Sequence, residues 1–146
     1  MGTFALDLQR FAAKTNEKAD LLVGSTVIRV SGELDRRSPV GDASYWKHKP
    51  PKGYVGGRFR GSWNLGVDAI PPNFETIDPT GAETQGRIIA TVPQQAAGKV
   101  YYLVNQVPYA QRIEEGWSRQ APQGLVELTA ISWQRIVNEA AGGLAA

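Results

Sequence analysis

The chain of 146 residues contains no cysteine and only one histidine, His48. Without cysteine it can form neither a disulfide framework nor a metal site built on thiolates, and thiol redox chemistry is excluded. A chain without disulfides is compatible with folding in a reducing cytoplasm. A single histidine also excludes metal sites that need two imidazole ligands. We therefore expect no metal and no redox cofactor.

Long hydrophobic runs are also absent. The apolar residues near the amino terminus are interrupted by charged residues, namely Asp7, Arg10, Lys14, Glu17, Lys18 and Asp20. Such interruptions are incompatible with the core of a signal peptide or with a membrane span. The sequence therefore predicts a soluble protein that has no membrane partner.

Catalytic constellations are scarce as well. Glu114 and Glu115 are the only adjacent carboxylates, and neighbours on a helix point about 100° apart, so they do not converge on one bond. The glycine-rich stretch 53–61 matches neither the phosphate-loop spacing nor the dinucleotide fingerprint. His48 lies in a lysine- and proline-rich segment typical of a solvent-facing loop. We therefore expect a protein that is not an enzyme and binds no cofactor.

The residues that are present predict one domain with a hydrophobic core. Apolar residues make up 42% of the chain, and a chain of this length buries roughly two-thirds of the surface that it exposes when unfolded. Apolar or small residues recur at steps of three and four from Phe4 to Leu34, which is the pattern of one long amphipathic helix. Pro39 should end this helix near Arg37.

The middle of the chain alternates between loops and short strands. Seven prolines and glycines between residues 38 and 57 predict an irregular loop. Alternating apolar residues over 62–70 predict a half-buried strand, followed by a loop at 71–85. Two runs rich in β-forming residues, 87–92 and 99–104, predict a hairpin. We expect a small antiparallel sheet of three or four strands.

Two helices are predicted after the sheet. The first covers 109–115 and is closed by Gly116; the second covers 125–141 and is stopped by Gly142 and Gly143. The fold class is therefore α+β, with a long N-terminal helix and a C-terminal helix packed on a small, mostly antiparallel sheet.

Four tryptophans divide into two groups. Trp63 and Trp133 fall on the apolar stripes of a predicted strand and a predicted helix, which predicts that both are core residues. Trp46 and Trp117 fall in loops beside charged residues, where aromatic anchors of protein interfaces are common.

Charge is unevenly distributed along the chain. Residues 36–60 carry seven cations against one acid, whereas residues 61–98 carry one cation against four acids. Such asymmetry is typical of opposite faces that meet different partners or neighbouring copies of one chain. The cations of 36–60 are interleaved with Tyr45, Trp46, Tyr54 and Phe59, so an alternative hypothesis is a small nucleic-acid-binding protein that uses this loop.

Three motif-like stretches occur in a fixed order. The first is Ser-Pro-Val-Gly-Asp at 38–42, which leads to Gly-Arg-Phe-Arg-Gly-Ser-Trp at 57–63. The second is Val-Pro-Tyr-Ala-Gln-Arg-Ile-Glu-Glu-Gly-Trp at 107–117, and Gln-Ala-Pro-Gln-Gly follows at 120–124. In their order and spacing these stretches resemble the neck and tail-completion (head-tail joining) proteins of long-tailed bacteriophages. The resemblance covers residues 38–140, with Ile113 where that family usually has leucine.

The resemblance implies a virion structural protein of a single domain, 1–146, with an irregular basic loop at 38–60. Such a protein is assembled in the host cytoplasm and then resides in the tail or neck. It forms a homo-oligomer, a six-fold ring, that contacts connector, tail terminator or tail tube proteins. Tail completion, tail termination and connector stopping remain alternative roles.

The same resemblance, with the loop positions of the aromatic residues, predicts which residues lie at an interface. The candidates for contacts between subunits are Trp46, Arg58, Arg60, Tyr109, Arg112, Glu114, Trp117 and Arg119. Lys47, Lys49 and Lys52 are expected to face DNA in the lumen of the ring without sequence specificity. In the related family the link between the two parts of the first motif is short, so residues 43–56 are expected to form an added arm.

Overall fold

The computed structural model describes residues 2–45 and 47–144. In this part of the chain, six α-helices accompany one two-stranded sheet, with a 3-10 turn at Ala43–Tyr45. The elements, in chain order, are α1 (Thr3–Arg37), α2 (Arg58–Gly61), β1 (Trp63–Val67), α3 (Ala82–Thr91), β2 (Tyr101–Asn105), α4 (Ala110–Glu114), α5 (Val126–Ile131) and α6 (Trp133–Leu144). The predicted α+β class is confirmed.

The long N-terminal helix is confirmed with its predicted end. Helix α1 has 35 residues, which corresponds to about 52 Å, and Ser38 follows it in an extended conformation. Within residues 2–45 and 47–144, its second half packs on other elements, and Val27 and Leu34 are buried there. Phe4 and Phe11 in the first half are exposed.

Strands β1 and β2 pair antiparallel, with Trp63 opposite Asn105 and Val67 opposite Tyr101. The prediction that β1 is half-buried is wrong, because residues 63–66 are all buried. The chain folds back over β1 just after it ends: a Cβ atom on Gly66 would lie 2.8 Å from the Pro71 nitrogen. The segment after β1 therefore covers the side of the strand that an alternating pattern would leave exposed to solvent.

The predicted strand at 87–92 is wrong, because these residues belong mainly to helix α3. Asp78 stabilises the start of α3 by accepting hydrogen bonds from the backbone N–H groups of Gly81 (3.0 Å) and Thr84 (2.9 Å). Thr84 and Ile88, one helical turn apart, face the core. The predicted hairpin therefore does not form, and β2 pairs with β1 in a sheet of two strands rather than three or four.

The predicted helix at 125–141 is divided into α5 and α6 at Ser132. Gly142 and Gly143 do not stop α6, which continues to Leu144. Ile136 and Ala140 of α6 are buried, and α6 packs on α1. Trp133 is 53% exposed, so its prediction as a core residue is wrong, whereas the prediction for Trp63 is confirmed.

Candidate interaction surface

The two parts of the first motif contact each other directly. The indole Nε1 of Trp63 donates a hydrogen bond to the Ser38 hydroxyl at 2.8 Å. Arg60 donates to the Ser38 carbonyl oxygen at 3.0 Å and to the Pro79 carbonyl oxygen at 2.8 Å. Residues from the end of α1, from α2 and from β1 are therefore joined at one point.

Arg60 also forms an ion pair with Asp35, whose Oδ1 lies 3.8 Å from the guanidinium Nε. Burial raises the pKa of Asp35; the charge of Asp78 adds to this effect and that of Arg60 opposes it. Arg60 was a candidate for a subunit contact. The structure gives it a role inside the chain, and a contact with a neighbour stays a prediction.

Residues 42–55 correspond to the expected added arm. They form a loop with adjacent ends, the closed loop. The backbones of Gly41 and Gly56 lie against each other, since a Cβ atom on Gly56 would come 2.8 Å from the Gly41 carbonyl carbon. Tyr54 packs on Gly41 from the loop side. The segment 42–55 therefore leaves and rejoins the domain at one place, and the two parts of the motif meet as a short link would allow.

The lysines of this loop are at the surface. Lys47, Lys49 and Lys52 are exposed, as is His48. Trp46, a candidate interface residue, lies outside the described residues.

Phe59 is buried and contacts aromatic rings of both motifs. Its ring lies 5.7 Å from that of Trp63 in an edge-to-face arrangement and 6.5 Å from that of Tyr109. Since Tyr109 belongs to the second motif, Phe59 joins the two motifs through ring contacts.

Arg58 links the same rings to the acidic part of the chain. It donates two hydrogen bonds to Glu75 Oε2, through Nε at 2.9 Å and through Nη2 at 2.5 Å, and its guanidinium lies 5.6 Å from the Tyr109 ring centroid. The hydrogen bonds from Arg58 lower the pKa of Glu75. Burial raises the pKa of Tyr109 although Arg58 opposes that shift. Arg58 and Tyr109, both candidates, are therefore in contact.

Gln120 connects the third motif to the first. Its amide accepts a hydrogen bond from the Val40 backbone N–H at 3.0 Å and donates one to the Val40 carbonyl oxygen at 2.7 Å. The side chain thus pairs with the backbone of Val40 as a neighbouring strand would.

Glu114 holds the start of helix α5. Its carboxylate accepts backbone hydrogen bonds from Leu125 (3.0 Å), Val126 (2.9 Å) and Glu127 (3.1 Å). Burial opposes ionisation, but these three donors prevail and lower the pKa of Glu114. Glu114 was a candidate for a subunit contact. The structure gives its carboxylate a role inside the chain, and a contact with a neighbour stays a prediction.

The three motifs line one shallow groove of about 580 Å³. Its walls are mainly apolar, and they include Pro39, Val40, Tyr54, Phe59, Tyr109 and Ile113. Trp117, next to the lining residue Ser118, is 70% exposed, and the Arg112 guanidinium lies 5.2 Å from its ring centroid. Arg119 is exposed beside them. An open apolar groove next to an exposed aromatic–cation pair has the composition of a protein-binding surface.

Sequence reasoning missed several residues of this surface. Val40 and Glu75 were not singled out, and Gln120 was noted only as the first residue of its motif. Val40 contacts Gln120 across 80 residues, and Glu75 contacts Arg58 across 17 residues. No local sequence pattern reveals such contacts.

Within 2–45 and 47–144, no three acidic or histidine side chains form a group that could hold a metal ion. No helix in these ranges is long and apolar enough to cross a membrane. Comparison of the chain with models of protein families, with curated proteins and with solved structures gives no match.

Proposed function

We propose that the protein is a virion structural component that forms a ring at the head–tail junction of a long-tailed bacteriophage and completes or joins the tail to the head connector. The observation that supports this proposal is the meeting of the three motifs in one groove. The stretches that carry the resemblance are separated by up to 80 residues, yet Ser38 binds Trp63 and Val40 binds Gln120.

The groove suits a contact between subunits. Its apolar walls supply surface to bury, and Trp117 with Arg112 supplies the aromatic and cationic groups that dominate interface energetics. Its walls are held by internal hydrogen bonds, so a partner would bind with little loss of conformational freedom. Repetition of one head-to-tail contact closes a ring when the rotation between subunits allows it. The ring would then offer its two faces to connector, tail terminator or tail tube proteins.

A nucleic-acid-binding role is the second candidate. The structure divides the seven cations of residues 36–60 into two groups. Four arginines bind groups of their own chain: Arg36 and Arg37 pair with Glu33, Arg58 pairs with Glu75, and Arg60 pairs with Asp35. Lys47, Lys49 and Lys52 lie exposed on the closed loop. Three lysines facing the lumen of a ring would meet passing DNA through its phosphates alone.

The first experiment combines light scattering with negative-stain electron microscopy of the purified protein, repeated with duplex DNA at low and moderate salt. The ring proposal expects closed particles with a central opening, formed alone or on addition of connector or tail tube protein, and unchanged in mass by DNA at moderate salt. Particles without a ring that bind DNA with a steep salt dependence would overturn it in favour of the nucleic-acid hypothesis.

A matched pair of variants assigns the ring to this surface. Trp117→Ala removes the exposed indole and should abolish closed particles. Ile131→Ala shortens a side chain of similar exposure on α5 and should leave them intact. Equal effects of the two substitutions would mean that the ring does not use the surface next to the groove.

A further inference from the structure

No described residue of the chain covers the first half of α1. Residues 6–18 are exposed all round, and the apolar stripe contains Phe4 (76% exposed), Leu8 (52%) and Phe11 (70%). An isolated helix of this length is marginally stable in water, because most helical stability in proteins comes from the packing of an apolar face. This arm, residues 3–19, therefore requires a surface to pack on.

A second apolar feature lies farther along the same helix. The α1 groove, of about 620 Å³, has one wall formed by α1 residues from Leu22 to Val30. Across from that wall lie Val100, Tyr101, Leu103, Trp133 and Val137. Val100 and Trp133 are more than half exposed. The wall on α1 is about 12 Å long, and the arm stripe from Phe4 to Phe11 is about 10.5 Å long.

The arm and the groove wall share one face of α1. Phe4 and Leu22 are 18 residues apart, which is five helical turns, and so are Leu8 and Thr26. The hydroxyls of Thr15 and Thr26 donate to carbonyl oxygens of their own helix, at 2.9 and 2.7 Å, so both threonines present a methyl group. The face is therefore mainly apolar, with Arg29 at its edge in line with Phe11. It is bulky in the arm, small at Thr15 and Ala19, and hollow beside residues 22–30.

We propose that this face binds a second copy of the chain, with the two α1 helices antiparallel and each arm seated in the α1 groove of the other copy. The face is complementary to itself when reversed about residue 17. One register then sets Phe4 against Val30, Leu8 against Thr26 and Phe11 against Val23. The helices cross at Thr15 and Ala19, whose small side chains permit close approach, and the contact is an isologous two-fold interface.

The exposed aromatic side chains supply about half of the area that such an interface needs. In each copy, the exposed fractions of Phe4, Phe11 and Trp133 amount to about two whole aromatic side chains, or about 300–500 Å². Specific interfaces bury about 600–1,000 Å² per partner. The exposed parts of Leu8 and Val100 and the partly buried walls of the groove add to the aromatic share.

This contact goes beyond the proposed ring and uses a different face from the motif groove. Because a two-fold axis cannot relate subunits within a ring whose two faces differ, the contact would join free chains or two whole rings. Its failure therefore leaves the ring proposal standing, and loss of the ring in Trp117→Ala leaves the α1 contact standing.

Directed disulfides test the register, and the absence of native cysteine makes the test clean. Ala12→Cys and Leu22→Cys are made in separate full-length chains of different tagged mass, mixed and oxidised. The two positions face each other in the proposed register but are about 15 Å apart along one helix, too far for a bond within a chain. The proposal expects the mixed disulfide to predominate. Arg10→Cys, on the opposite side of α1, should not form it with Leu22→Cys. Preference for Ala12→Cys homodimers, or equal yields from both mixtures, would overturn the arrangement.

Charge in the arm tests the interface independently. Phe11→Glu should reduce the mass in solution about twofold, because the two-fold contact is lost. It should also reduce helicity, because the arm loses its support. Ile70→Glu places the same charge on an exposed residue that neither belongs to α1 nor lines the α1 groove, and it should leave the mass unchanged. Retention of the wild-type mass by Phe11→Glu would refute the proposal. An unchanged melting transition of the residues outside the arm would show that the variant is folded.

Discussion

The indole nitrogen of Trp63 donates a hydrogen bond to the hydroxyl of Ser38 at 2.8 Å, and that hydroxyl donates to the Leu34 carbonyl oxygen at 2.6 Å. Both residues are buried. The last turn of α1 is therefore tied to the first residue of β1 across 25 positions of sequence.

We predict that Ser38→Ala lowers the free energy of unfolding by about 1–3 kcal/mol, because the buried indole N–H loses its partner. Urea denaturation measures the loss. Thr91→Ala is the control. The Thr91 hydroxyl, like that of Ser38, donates to a carbonyl oxygen four residues earlier, but Thr91 is exposed. Its removal should change the free energy of unfolding by at most about 0.5 kcal/mol. In a double-mutant cycle with Trp63→Phe, a coupling free energy near zero would show that the Ser38–Trp63 bond contributes nothing.

Stability should depend on pH through Glu114, whose pKa is lowered on folding by the backbone donors of α5 against the opposing effect of burial. A carboxyl with a lowered folded pKa stabilises the protein above its unfolded pKa, and this stabilisation is lost as the pH falls through the folded value. Glu114→Gln should therefore lower the free energy of unfolding by about 1–2 kcal/mol at pH 7. The difference from wild type should shrink below pH 4.5, the ordinary value for this group.

Glu115→Gln is the control for this substitution, because Glu115 is exposed and, within the described part of the chain, its carboxylate accepts a hydrogen bond only from Gln111 of its own helix. It should behave like wild type across the same pH range. A Glu114→Gln penalty that is constant from pH 7 to pH 3 would contradict the proposed charge effect.

The closed loop should be dispensable for folding. Replacing residues 43–53 with two glycines keeps Gly41 beside Gly56, so we expect a cooperative thermal transition close to that of the wild type. The same variant loses Lys47, Lys49 and Lys52, so any binding to DNA at low salt should weaken. Circular dichroism and a fluorescence binding titration check the two outcomes. An unfolded variant would show that the loop supports the motif groove.

Two glycines in helices should respond oppositely to alanine. Gly86 in α3 has open space around its Cα, so Gly86→Ala should stabilise the protein by about 0.5–1 kcal/mol. Gly61 in α2 lies against another segment, where a Cβ atom would come 2.9 Å from the Asp78 nitrogen, so Gly61→Ala should destabilise by about 1–3 kcal/mol. Thermal unfolding of both variants checks the prediction, which fails if the signs agree.

Local patterns predicted the elements whose cause is local. Helix α1 followed from its apolar repeat and from Pro39, and α4 followed from its position between Pro108 and Gly116. Helix α3 was mistaken for a strand because a short apolar run fits either structure, and the deciding contact is the capping by Asp78. The break at Ser132 and the exposure of Trp133 likewise depend on how the C-terminal helices dock on α1.

The candidate surface was foreseen in part. The motifs identified Arg58, Tyr109, Arg112 and Trp117, and the structure brings these into two cation–aromatic pairs. The roles of Arg60 and Glu114 within the chain could not be read from sequence, since their partners belong to other segments.

Gly81 and Leu125 precede helices α3 and α5, and neither caps its helix with a side chain. The carboxylates that accept from the first backbone N–H groups come from Asp78 for α3 and from Glu114, at the end of α4, for α5. Helix α5 therefore depends on a neighbour for its first turn. When α4 opens, the amides of residues 125–127 lose their acceptor, so α4 and the start of α5 should exchange their hydrogens with solvent at one common rate.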